Sequence, residues 1–185
     1  MKKQHRKVRR LSLLSTAVFM LSAFSLGAHA ANSNEIQYSG TLIALPCTVE
    51  PKFENFLVEM GEVNSKQLYL HGRTNGVQFE FELKDCDTSL GNWITASFTG
   101  NSNEQGLLKF DPISEASGAA IGIETISGVL LPINPTQPYP SQAIKEGATT
   151  IKLRAYVQGD SESVASQSIT PGYFVATMTY TLGYE

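Results

Sequence analysis

Residues 172–185 read GYFVATMTYTLGYE, and this stretch decides the fold class. From Phe174 onward every second residue is apolar or aromatic, with Thr177, Thr179 and Thr181 between them. A period of two is typical of a β-strand with one buried face, and Thr, Tyr and Phe favour strands. Because terminal segments fray unless something holds them, the pattern predicts a partner for this strand. That partner is either a strand of the same sheet or another polypeptide.

The rest of the chain contains further short apolar runs separated by Gly, Pro, Asn and Ser. The runs cover residues 42–49, 53–60, 77–83, 93–98, 107–108, 121–126, 129–133 and 151–157. No window of a dozen residues shows a helical period of 3.6. Many short strands with turn residues between them predict an all-β sandwich. Residues 132–140 hold four prolines, which predicts an irregular loop.

The first 30 residues resemble a secretory signal peptide. Six Lys or Arg occur within residues 2–10, a mainly apolar run covers residues 11–26, and Ala28-His29-Ala30 supplies the small residues of a cleavage site. A membrane anchor is the alternative, but the apolar run is short for a bilayer. Removing these residues takes 6 of the 14 basic residues, which leaves 8 against 17 Asp and Glu and a formal charge of −9. Such an acidic domain is not expected to bind nucleic acid.

The two cysteines, Cys47 and Cys86, both lie in the exported part of the chain. An oxidising compartment favours a disulfide between them, closing a loop of about 40 residues that would stabilise the fold by roughly 4 kcal/mol. A free thiol or a metal ligand is the alternative. No spacing of Cys and His indicates a zinc site, since His71 is the only histidine that remains after cleavage.

Residues suited to catalysis are few. His71 has no nucleophile motif around it, so a solvated loop histidine is the preferred interpretation. Asp85 and Asp87 flank Cys86 and are interpreted as surface charge beside a disulfide rather than as a carboxylate pair. We therefore expect no enzymatic activity, cofactor or metal, and a structural or binding role instead.

Taken together, these features resemble the pilin subunits of the chaperone-usher pathway, of the type 1 and P pilus kind. The resemblance rests on the leader, an arm before the first cysteine, the cysteine spacing, Gly172 fourteen residues from the end, the alternation that follows and the penultimate aromatic Tyr184. Gly40 and Pro46 before Cys47 are similar to the first strand of minor tip subunits. The resemblance implies an incomplete immunoglobulin-like sandwich that lacks its final strand and is completed by a donor strand, a case of β-augmentation.

The resemblance also implies roles for particular residues. Residues 31–41 form a donor arm running into the first strand, and residues 42–185 form the pilin domain. The arm residues predicted to enter a neighbour's groove are Asn32, Asn34, Ile36 and Tyr38. Those predicted to line the groove or contact the chaperone are Phe174, Ala176, Met178, Tyr180, Leu182 and Tyr184.

The sequence thus predicts a minor structural subunit of a fimbria, polymerised by donor-strand complementation and exchange, and supporting adhesion. Its expected partners are a periplasmic chaperone, an outer-membrane usher and neighbouring pilins. It is expected to pass through the periplasm to the cell surface. A single-domain tip adhesin or carbohydrate-binding module is the alternative, with Trp93 or Tyr139 stacking on sugar.

Overall fold

Two antiparallel β-sheets make up the structured part of the chain, in a computed structural model that describes residues 36–185. The strands are β1 (Thr48–Val49), β2 (Val77–Cys86), β3 (Trp93–Gly100), β4 (Leu108–Lys109), β5 (Ala119–Thr125), β6 (Tyr139–Ala143), β7 (Gly147–Gly159) and β8 (Met178–Tyr184). One sheet has the order β1-β2-β7-β5-β4 and the other the order β6-β3-β8. The predicted leader, residues 1–30, lies outside the described residues.

The core lies on the alternating faces of the long strands. Phe79, Phe81 and Leu83 of β2 are buried, and the intervening Glu80 and Glu82 are not. Strand β7 repeats this pattern, and β3 contributes Ile94, Ala96 and Phe98. Burial of one face per strand is the physical reason for the period of two, and it stabilises the sheet pairing because a register slip of one residue would expose the apolar set.

Two short α-helices and a 3₁₀ turn at Pro51–Phe53 interrupt the strands, although the sequence predicts no helix. Helix α1 covers Ser65–His71 and helix α2 covers Ser161–Ala165. Asn64 caps α1 by accepting a hydrogen bond from the Lys66 amide, and Gly72 ends it in the left-handed conformation. At seven and five residues both helices are too short to show a periodic signal. His71 therefore ends a helix, whereas the sequence places it in a loop.

Some predicted strands are shorter or absent. Of residues 42–49 only Thr48–Val49 pairs, and residues 53–60 and 129–133 contain no strand. The proline-rich loop ends earlier than predicted, because β6 begins at Tyr139. Pro140 is tolerated in β6 because this strand lies at the edge of its sheet.

A disulfide joins Cys47 to Cys86, so the predicted disulfide bond is present. Both cysteines are buried, and the bond fixes the chain just before β1 to the end of β2. It thereby holds the start of the sandwich in place beside the neighbouring strand. The alternatives, a free thiol and a metal ligand, are excluded for both residues.

Candidate functional site

The segment before β8, residues 173–177, belongs to no strand and is hydrogen-bonded along one side only. The carbonyl of Val175 accepts a hydrogen bond from the Asp111 amide at 2.8 Å, and the Val175 amide donates to the Ser114 hydroxyl at 3.0 Å. The Tyr173 carbonyl also accepts a hydrogen bond from the Glu115 amide. By contrast, within residues 42–185 no hydrogen bond involves the amide or carbonyl of Phe174 or Ala176. Because backbone groups alternate in direction along a strand, these four groups form an open edge.

The wall opposite this edge is residues 55–63. Within residues 42–185 their amides and carbonyls make no backbone hydrogen bond. The segment is held by its side chains, since Val58, Met60 and Val63 are half-buried and pack against the core. Two segments with unpaired backbone groups thus lie on either side of one gap. Such groups are a template for pairing with another strand.

The gap between the two walls contains two adjacent cavities. The larger has a volume of about 760 Å³, and its floor includes Leu68, Ala119, Ile121 and Val157. The smaller has a volume of about 310 Å³ and is lined by several aromatic rings. The residues that line both cavities are Leu57, Val58, Met60, Ile121, Val175 and Ala176. We call this continuous apolar feature the groove.

The six predicted groove residues are all half-buried and packed against the core, but they do not all line the groove. Phe174 and Ala176 line the larger cavity, and Ala176, Met178 and Tyr180 line the smaller one. Leu182 and Tyr184 line neither cavity, although all of β8 pairs with β3. The wall at residues 55–63 was not predicted as part of the site. Its signal in the sequence is the short alternation of Val58 and Met60 with charged or exposed neighbours.

The predicted donor arm lies partly within the described residues. Ile36 and Tyr38 have no regular secondary structure and are 71% and 88% exposed. Asn32 and Asn34 lie outside the described residues. Leu42, two residues beyond Gly40 on the same period-two face, is fully exposed as well. Exposure of such an apolar face to water is unfavourable in free energy, so the face is available for burial against a partner.

An aromatic cluster closes the groove at the smaller cavity. The Tyr180 hydroxyl donates a hydrogen bond of 2.7 Å to the Phe53 carbonyl, and its ring centroid lies 5.2 Å from that of Phe81. Burial raises the pKa of Tyr180, and the nearby Glu54 carboxylate raises it further. Burial likewise raises the pKa of Tyr184. Neutral phenols are therefore favoured along this strand.

The remaining candidate residues do not assemble a reactive site. Asp85 and Asp87 are exposed, and the hydrogen bonds that the Ser89 hydroxyl and amide donate to Asp87 lower the pKa of its carboxyl. Among the described residues, no three His, Cys, Asp or Glu side chains are grouped to hold a metal ion. Residues 36–185 include no helix long and apolar enough to span a bilayer.

Trp93 and Tyr139, the residues that would stack on sugar in the carbohydrate-binding alternative, lie on opposite faces of their sheet. Trp93 is 39% exposed and lies three residues from Ala96 on β3, so the two side chains are on opposite faces of the sheet. Tyr139 pairs directly with Ala96 and packs against the core. Trp93 and Tyr139 therefore do not form a common platform for a sugar ring.

Comparisons with known proteins agree with this geometry. The family model described as "Fimbrial protein" matches residues 36–185. The chain is 28% identical to the Fimbria A protein of Serratia marcescens, covering 97% of this chain and 99% of that protein. It is 24% identical to a putative minor fimbrial subunit, PmfF, of Proteus mirabilis, covering 92% and 94% of the two chains.

A solved structure shares the fold. The crystal structure of the P pilus rod subunit PapA matches with a TM-score of 0.65 at 19% identity, over 76% of this chain and all of that one. The predicted incomplete immunoglobulin-like sandwich is thereby confirmed. The narrower expectation of a minor subunit stays a prediction, because the similar proteins include both a minor and a rod subunit. The chain belongs to the fimbrial protein family, and it is a structural subunit of a fimbria rather than an enzyme.

Proposed function

We propose that this subunit polymerises by accepting a β-strand from a neighbouring subunit into the groove and by donating its own arm to the next. The observation that carries the proposal is the pair of unpaired backbone edges, one at Phe174 and Ala176 and the other at residues 55–63. An inserted strand would pair with both edges and bury its alternate side chains in the two cavities. Backbone pairing supplies affinity, and the cavities select the register.

The donor is the arm at residues 31–41. Ile36 and Tyr38 are its strongest apolar side chains, and both are exposed. Asn32 and Asn34 fall on the same face by period two and would gain little from an apolar cavity. The exposed Leu42 extends the apolar face in the other direction.

Before assembly the open groove exposes apolar surface and unpaired backbone, which favours aggregation. A periplasmic chaperone that lends a strand would protect it, and an outer-membrane usher would be the place where a neighbour's arm replaces the chaperone. Phe174, Ala176, Met178 and Tyr180 line the groove that either strand would fill. The assembled subunits form the fimbria at the cell surface.

The test uses the exported protein and a labelled synthetic peptide of residues 32–44, NSNEIQYSGTLIA. We expect a long-lived complex in which amide hydrogen exchange slows at residues 55–63 and at Phe174 and Ala176. The matched control peptide carries Ile36→Asp and Tyr38→Asp, which leaves the backbone unchanged and makes the side chains unfit for apolar cavities. Equal exchange protection by the two peptides, or none by either, would contradict the proposal.

A further inference from the structure

The Tyr180 hydroxyl links β8 to the segment that leads into the wall at residues 55–63. Its hydrogen bond of 2.7 Å to the Phe53 carbonyl connects β8 to the 3₁₀ turn that precedes this wall, across 127 residues of sequence. Tyr180 is half-buried, so the bond is partly shielded from water. It is the one hydrogen bond that directly links β8 to residues 53–63 within the described part of the chain.

Aromatic packing reinforces the same connection. The ring of Phe56 lies 6.0 Å from that of Phe53 at nearly a right angle, and 6.4 Å from that of Tyr180. Edge-to-face pairs at such distances attract one another beyond their buried area. Phe53, Phe56 and Tyr180 form what we call the aromatic clasp. Phe56 is partly exposed and lines the smaller cavity, so a strand that fills this cavity would contact it.

The clasp coincides with the end of the groove. The alternation that lines the cavities continues beyond Tyr180 to Leu182 and Tyr184, yet neither cavity reaches those residues. On the other side of the clasp, residues 55–63 make no backbone hydrogen bonds within residues 42–185. Once the clasp opens, outward movement of the wall would break none of the described backbone hydrogen bonds and would cost the packing of Val58, Met60 and Val63.

We propose that the aromatic clasp holds the groove shut beyond Tyr180 in the unpartnered subunit, and that donor-strand entry breaks the bond between Tyr180 and Phe53. This inference rests on the proposed function and adds a residue that sets the rate of strand uptake. An inserted strand that extends past Tyr180 must move the segment at residues 53–63 away from β8, and this movement is incompatible with the bond between Tyr180 and Phe53. The clasp would thus slow premature filling of the groove.

The test measures the rate at which labelled NSNEIQYSGTLIA enters wild-type protein, Tyr180→Phe and Tyr184→Phe. Tyr180→Phe retains the ring and removes only the hydroxyl. Tyr184→Phe is the matched control, because its hydroxyl makes no hydrogen bond within the described residues although it lies on the same face of the same strand. We expect Tyr180→Phe to bind the peptide about two- to ten-fold faster, as expected for the loss of one net hydrogen bond. Tyr184→Phe should match the wild type.

Equal rates for all three proteins would overturn the clasp while leaving the proposed function intact. Failure of every protein to bind the peptide would overturn the proposed function and the clasp with it. A second measurement does not depend on the variants: the Tyr180 hydroxyl proton, followed by NMR in tyrosine-labelled wild type, should exchange slowly before peptide is added and rapidly afterwards. Persistence of the slow exchange in the complex would also overturn the clasp.

Discussion

Arg73 and Glu124 form a two-point ion pair on the face of the first sheet that points away from the core. Arg73 Nη1 lies 3.0 Å from Glu124 Oε2, and Nη2 lies 3.1 Å from Oε1. Arg154 Nη2 is 3.1 Å from the same Oε1, so one carboxylate, only 4% exposed, serves two guanidinium groups. The Arg73 guanidinium also lies 3.5 Å from the centroid of the Tyr156 ring. Parallel hydrogen bonds to a planar guanidinium give this pair a defined geometry.

Glu124→Gln should lower the free energy of unfolding by about 1–3 kcal/mol, because it leaves two arginines without their carboxylate. The value stays below that of a fully buried pair, since both arginines are about one-third exposed. Urea denaturation measures the change. Glu80→Gln is the control: its carboxylate is half-exposed and lies 3.6 Å from Lys152, so a loss under about 0.5 kcal/mol is expected. Equal losses of unfolding free energy in Glu124→Gln and Glu80→Gln would show that the burial of Glu124 does not strengthen its ion pairs.

Removing the disulfide should destabilise the subunit more than any single surface change. Replacing Cys47 and Cys86 together by Ala opens a loop whose ends are 39 residues apart, and the chain-entropy model gives a loss of roughly 4 kcal/mol. Urea denaturation with and without a reductant measures it. The reductant should destabilise the wild type and leave the double variant unchanged. An effect of the reductant on the double variant would contradict this explanation.

Val58→Asp should weaken uptake of the arm peptide at least about ten-fold. Val58 lines both cavities, and a strand that covers the groove would have to desolvate the new carboxylate. Fluorescence titration with NSNEIQYSGTLIA measures the affinity. Glu59→Asp is the control at the adjacent exposed position, where the charge is retained and no change is expected. Unchanged affinity in Val58→Asp would show that the peptide binds elsewhere.

Stability should fall at alkaline pH. Burial raises the pKa of Tyr156, Tyr180 and Tyr184 above the ordinary value of 10.0. Between the unfolded and folded pKa values the native state holds more protons than the unfolded state, so unfolding becomes easier as pH rises. The stabilisation that these tyrosines contribute to the folded state is fully present below about pH 10 and is lost as the pH rises above it. Urea denaturation at pH 8 and pH 11 measures the loss, and Tyr184→Phe should reduce it. A variant with the same pH dependence as the wild type would exclude Tyr184 as a source.

The sequence predicts the strands that are buried on one face, because an alternation of apolar and polar residues indicates one buried and one exposed face. Val77–Cys86 and Gly147–Gly159 are such strands, and both were anticipated from alternation. Residues 53–60 show why the same reasoning fails elsewhere. Phe53, Val58 and Met60 pack against the core, but the backbone of this segment pairs with no neighbouring strand within residues 42–185, so it forms no β-ladder. The local alternation of apolar and polar residues indicates which side chains are buried. Strand pairing depends instead on a partner that is distant in sequence.

The extent of the groove was also beyond prediction from the sequence. Leu182 and Tyr184 continue the alternation of Phe174 and Ala176 and pack against the core, yet they line neither cavity. The Tyr180 hydroxyl donates to the Phe53 carbonyl at this boundary, and no spacing in the sequence indicates contact between residues so far apart. The buried position of Glu124 was unexpected for the same reason, since both of its partners come from other parts of the chain.

The absence of backbone hydrogen bonds along residues 55–63, within residues 42–185, has a consequence for the lifetime of the assembled fibre. A protease cuts extended, unpaired backbone most readily, so this wall is the place where an unfilled subunit would be cleaved first. In a polymer built by strand donation each chain is shielded by the molecule beside it. Turnover would then begin at whichever subunit lacks a neighbour and proceed along the fibre one molecule at a time.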